Sequence, residues 1–167
     1  MQKETCMKAD LLRPFVDAAT TVLETMAFTP AHAGQPYVKK DSLAKGDVTG
    51  IVGLTGEACG TVSVSFTEGS ILPIVSNMLG EKIEKMNDEI RDAVGEIANM
   101  ISGQSRKILE EDGRLVDAAI PTVIMGKNHS IGHMRRQSVT AIPFATDHGE
   151  FTIELCFEDA PKSSKEK

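Results

Sequence analysis

The sequence predicts an α+β fold: a pseudo-symmetric two-half domain whose central, mostly antiparallel sheet is covered by two long helices and one short helix. Three observations carry this. Two long segments, opening near Ala9 and Asp88, repeat apolar residues at helical spacing. Two others, Val48–Phe66 and Gln137–Phe157, read as strand, turn and strand, the first alternating most clearly with period two. The order helix, Pro-started strand, hairpin also occurs twice. Pro36-Tyr37-Val38 recurs as Pro121-Thr122-Val123, and Val48-Thr49 recurs as Val139-Thr140.

The first helix runs from Lys8 or Ala9 to Met26, with Leu11, Leu12, Phe15, Val22 and Leu23 on its apolar stripe. Pro14 lacks an N–H and suits only a first turn, so the regular part is expected to begin there. Thr29–Gln35 reads as a loop and Pro36–Lys40 as a short edge strand. Val48–Thr55 is a strand, Gly56–Gly60 a turn, and Thr61–Phe66 a strand turning Val62, Val64 and Phe66 inward. A short helix, Glu68–Leu79, is closed by Gly80. The second long helix is capped by Asn87 or Asp88 and stops at Gly113. Leu115–Met125 is a strand interrupted by Pro121. After the turn Gly126–Ser130, a second hairpin joins Gln137–Ala145 to Phe151–Phe157 around Asp147-His148-Gly149. Residues 1–160 read as one domain, and the charged stretch 161–167 as a disordered tail.

Composition narrows the partners. A net charge of −6 disfavours a phosphate backbone. Six Phe, one Tyr and no Trp disfavour base stacking, so no nucleic acid is expected. Cys6, Cys59 and Cys156 are too scattered for a disulfide framework or a zinc site, which fits a reduced, cytoplasmic compartment. Met1–Cys6 carries no apolar signal region. No apolar run approaches the roughly 18 residues of a membrane span. His129 and His133 are four apart but sit in a Gly-rich turn without a nearby carboxylate. They read as surface histidines rather than metal ligands.

The chemistry-bearing feature lies on the second long helix. Wound at about 100° per residue, Ile90, Val94, Ile97, Ile101 and Ile108 share one line, the core face. Asp92, Glu96, Asn99 and Gly103 fall on a second line, roughly opposite. A carboxylate and a carboxamide therefore stand one turn apart on the solvent side, flanked by Gly95 and Gly103. Each interior glycine costs about 1 kcal/mol relative to Ala, and close approach by another backbone is one reason to keep it. Spacing alone leaves two readings open: a solvated helix face, or a docking surface with a chemical tip.

The stretch Asp88–Lys107, with Asp92, Glu96 and Asn99 in this spacing and Pro121 beyond the helix, resembles the active-site helix of the CheC/CheX/FliY response-regulator phosphatases. Leu12–Ala18 and Val22–Met26 are similar to the first helix of the CheX branch. CheC-type members usually carry the acid–amide pair in both helices. This chain has Thr21 and Glu24 at the equivalent places of the first helix, and so is closest to CheX. The resemblance covers about Leu11 to Phe157 and implies hydrolysis of the aspartyl phosphate of a CheY-like regulator. It implies that Asn99 orients the attacking water and Glu96 pairs with the regulator's lysine, with Asp92, Gly95 and Gly103 supporting docking. It also implies no cofactor of the chain's own, a magnesium ion held by the regulator, and a homodimer formed through sheet edges such as Gln137–Ala145. The alternatives from other classes are a non-catalytic regulator-binding adaptor, a flagellar-switch interaction module and a plain dimeric scaffold.

Overall fold

The computed structural model describes residues 9–40, 46–127, 129 and 138–159. Its elements are α1 (Ala9–Ala27), β1 (His32–Ala33), β2 (Tyr37–Lys39), β3 (Val48–Gly56), β4 (Ala58–Phe66), α2 (Glu68–Leu79), α3 (Asp88–Glu111), β5 (Val116–Ala118), β6 (Thr122–Met125), β7 (Val139–Thr146) and β8 (Gly149–Asp159). The eight strands form one sheet in the order β1-β7-β8-β4-β3-β5. β2 also pairs with β7, and β6 also pairs with β3. All these pairings are antiparallel.

The duplication read from the sequence is visible in this pairing map. Exchange β2 with β6, β3 with β7 and β4 with β8. The β2–β7 pair then becomes β6–β3, the β3–β4 hairpin becomes β7–β8, and the central β4–β8 pair maps onto itself. The helices cover the sheet face made by Val48, Val52, Val62, Val64, Ile153 and Leu155, all of them buried. Phe66, Phe151 and Phe144 stack side by side across β4, β8 and β7, with centroids 5.1 and 4.7 Å apart.

The opposite face is polar and also buried at Thr49, Ser63, Ser65, Thr152 and Glu154. There Lys39 Nζ on β2 donates to both carboxylate oxygens of Glu154 on β8, at 2.9 and 3.0 Å. Their side chains are 4% and 1% exposed.

α3 seats on β3 at Gly50. A Cβ there would stand 2.8 Å from the Ala98 Cβ, so only glycine lets the helix lie this close. Asn87 caps α3, its Oδ1 accepting from Ile90 N at 3.1 Å. Thr67 caps α2, and Gly80 closes it in the left-handed region at φ 68°.

Several expectations need correction. α1 is already helical from Ala9, so Pro14 lies inside it rather than opening it. The cost is one missing bond to the Asp10 carbonyl. Residues read as a loop include β1, which is held against β7 by pairing rather than by propensity. β3 and β4 run into the expected turn, leaving Glu57 at its apex. Ile108 is half-buried, and Leu109 takes its place in the core. β7 is not an uncovered edge: β8 pairs on one side and β1 and β2 on the other. His129 is no mere surface histidine. Its Nε2 lies 2.6 Å from Thr49 Oγ1 and its Nδ1 2.5 Å from the Gly126 carbonyl, so it clasps the turn to β3. Cys6, His133, Gln137 and the tail 161–167 lie outside the described residues.

Candidate functional site

The site grows from the placement of α3. Ile90, Val94, Ile97 and Ile101 are buried against the sheet and α1, which fixes the rotation of the helix about its axis. The opposite line must then face solvent, and Asp92, Glu96 and Asn99 are all exposed. The structure brings Asp92, Gly95, Glu96 and Asn99 together in a cleft of about 640 Å3 between α3 and the start of β6. Gly103 does not line it. A Cβ at Gly103 would meet nothing within 4 Å, and one at Gly95 would meet a Val123 methyl at 3.4 Å. Among the described residues no backbone from another element approaches either glycine closely, so both leave surface open.

The chemical tip is uncommitted. The Asn99 backbone carbonyl accepts from Ser102 Oγ at 2.9 Å. Its side-chain amide and the Glu96 carboxylate have no hydrogen-bond or ion-pair partner among the described residues. The two stand about 4.5 Å apart along the helix axis, one turn. A carboxamide both donates and accepts, so Asn99 can hold a water while still bonded to a second group. Glu96 offers an acceptor-only, charged group beside it. Among the described residues no cluster of three or more His, Cys, Asp or Glu side chains could hold a metal ion. The amide and carboxylate, with bonding capacity left open, offer positioning chemistry.

Three lining residues escaped the sequence reading: Arg91, Ile120 and Val123. Arg91 is exposed and has no ion-pair partner among the described residues. Its wheel position, about 80° from Asn99, was the available signal. Ile120 and Val123 come from another element, and helical periodicity says nothing of their proximity. In α1, Thr21 and Glu24 are exposed at the equivalent positions, so that half repeats the exposed face without the acid–amide chemistry.

No helix among the described residues is long and apolar enough to cross a membrane. Comparison with known proteins gives consistent matches. Residues 48–145 match the family model described as chemotaxis phosphatase CheX. The chain is 30% identical over 112 residues to the CheY-P phosphatase CheX of Thermotoga maritima, covering 66% of this chain and 72% of that one. The crystal structure of chemotaxis protein CheX from Desulfovibrio desulfuricans superposes with a TM-score of 0.84 at 50% identity, covering 89% of this chain and 99% of that one. CheX in the CheX–CheY–BeF3–Mg2+ complex from Borrelia burgdorferi gives 0.77 at 25% identity, covering 90% and 99%. A matching fold and a family model spanning more than half of the sequence lead to one statement: this chain belongs to the chemotaxis phosphatase family CheX.

Proposed function

We propose that the chain hydrolyses the aspartyl phosphate of a CheY-like response regulator, inserting the exposed end of the Glu96–Asn99 turn into the regulator's active site. The observation that carries this is the uncommitted amide and carboxylate on the rim of one cleft. The Thermotoga relative is a CheY-P phosphatase, and the Borrelia CheX forms a complex with CheY, BeF3 and Mg2+.

The chemistry needs little from this chain. Phosphoryl transfer requires an in-line nucleophile and charge neutralisation rather than covalent help. The water oxygen attacks phosphorus as the bond to the aspartyl oxygen breaks, releasing inorganic phosphate and restoring the carboxylate. Metal and lysine belong to the regulator. The contribution of this chain is a held water, bonded to the Asn99 amide, as glutamine holds water in GTPases. Glu96 pairs with the regulator's lysine inside a closing interface, where an ion pair is stronger than on open surface. Asp92, Gly95 and Gly103 form the surface on which the regulator backbone rests. The reaction takes place in the cytoplasm; neither Cys59 nor Cys156 is in a disulfide, which supports that placement.

The test is a decay assay on a purified phosphorylated receiver domain, with and without the chain. Accelerated phosphate release is expected. Decay at the receiver's own rate, at every concentration of chain, rules the reading out.

The homodimer is proposed through the β1–β2 edge. The other edge carries Pro121 and a break between β5 and β6, features that blunt strand addition. Sedimentation should show a dimer at high concentration, and a persistent monomer would exclude it.

A further inference from the structure

The break between β5 and β6 is a bulge. Leu54 pairs with Ala118 and Ile51 with Thr122. Between those pairs β3 has two residues, Val52 and Gly53, while the edge has three, Ala119 to Pro121. The ladder resumes at Ala119, whose N–H donates to Gly53 O at 2.9 Å. Pro121 has no N–H to contribute. Strand residues alternate between faces. Val123 is on the helix side, against Gly95. Counting from Ala118 puts Ile120 on that side, and counting back from Val123 puts Pro121 there too. The extra residue thus sets two successive apolar side chains on the face that α3 covers, and both line the cleft opposite Glu96 and Asn99.

Ile120 is 89% exposed, the most exposed of the large hydrophobic residues among those described. Phe28, Leu79 and Leu115 are also exposed, but none lines this cleft. The fold gains little from an isoleucine there, since its side chain is left in water. A domain that brings an acyl phosphate within hydrogen-bond reach of Asn99 enters the cleft whose other wall is Ile120, Pro121 and Val123.

We propose that Ile120, set on the cleft wall by the bulge, is an apolar anchor for the receiver domain; this rests on the phosphatase reading above. The cleft then has a division of labour. The α3 wall supplies charge and the water-holding amide, and the bulge wall supplies the desolvated contact that sets residence time. Pro121 stiffens the backbone behind it.

The experiment compares wild type with Ile120→Thr, which keeps the β-branch and removes the apolar end, and with Leu115→Thr as an exposed control outside the cleft. Phosphorylated receiver is titrated to saturation. Affinity for beryllofluoride-loaded receiver is measured separately. Ile120→Thr should raise the half-saturating concentration and the dissociation constant about tenfold. The saturating rate and the melting temperature should stay unchanged, and Leu115→Thr should behave as wild type. Unchanged affinity in Ile120→Thr, or an equal loss in Leu115→Thr, overturns the anchor. A wild-type chain that binds the loaded receiver but does not accelerate decay defeats the catalytic reading alone, and the affinity comparison still decides Ile120.

Discussion

Asn99 and Glu96 are neighbours on one helix turn with different proposed roles, and substitution should separate them. Asn99→Ala removes the amide proposed to hold the water. A misplacement of about 1 Å costs on the order of 10²-fold in rate, so loss of the amide should cost at least about that much at saturating regulator. The melting temperature should not fall, because position 99 is exposed and Ala is the better helix former. Full activity in this variant would end the water-holding role, and joint loss of activity and folding would make the residue structural. Glu96→Ala should mainly raise the regulator concentration needed, and saturation should recover much of the rate. A rate that stays equally low at every concentration would move Glu96 into the transition state. The pair was legible in the sequence because an α-helix has a fixed period: once Ile90, Val94, Ile97 and Ile101 define the buried line, the exposed line follows. Arg91 sat off that line, and Ile120 reaches the cleft through sheet register, which no local pattern encodes.

Elements carry the precision that the residues need, and for α3 that precision comes from Gly50. The helix rests where a side chain on β3 would collide with Ala98. Gly50→Ala should therefore destabilise by about 1–3 kcal/mol through overpacking, and should lower activity per folded molecule because the helix bearing Asn99 is lifted. Ala98→Gly alone should cost about 1 kcal/mol through helix propensity. The double variant should be less destabilised than the two singles together, since the methyl groups no longer meet. Strict additivity in urea unfolding would show that the helix does not rest on this point. Sequence reasoning credited the glycines on α3 with close approach, whereas the tight point is the glycine on the strand beneath. The elements themselves were largely legible: α2 and its Gly80 cap, α3 and its Asn87 cap, and both hairpins follow from local chemistry. Pro14 misled because the rest of α1 packs well enough to carry one missing hydrogen bond. β1 was invisible because two residues exist as strand only through β7.

At the scale of the whole molecule, the two faces of the sheet do different work. One carries the helices and hence the chemistry. The other holds a buried ion pair between β2 and β8, strands that are not neighbours in the sheet, because β7 lies between them. Charges this buried are a poor route to stability in themselves, since desolvation offsets most of their attraction. Their value is in what they forbid. Lys39 reaches Glu154 only when β2 pairs with β7 in the observed register, Lys39 opposite Val139. A slip of one residue would turn the ammonium to the opposite face of the sheet, away from the buried carboxylate. Glu154→Met should therefore destabilise by about 3–5 kcal/mol, because it takes the buried carboxylate away from the Lys39 ammonium. Lys39→Met together with Glu154→Met keeps similar volumes and should recover most of that loss, by the same argument. Both side chains have further interactions, so recovery should be incomplete. Denaturant unfolding measures each step, and phosphatase activity of the folded fraction should stay unchanged in all variants, the pair lying across the sheet from α3. A single substitution costing under about 1 kcal/mol would class the pair with ordinary exposed salt bridges, and the register of the β2 edge would then need another cause.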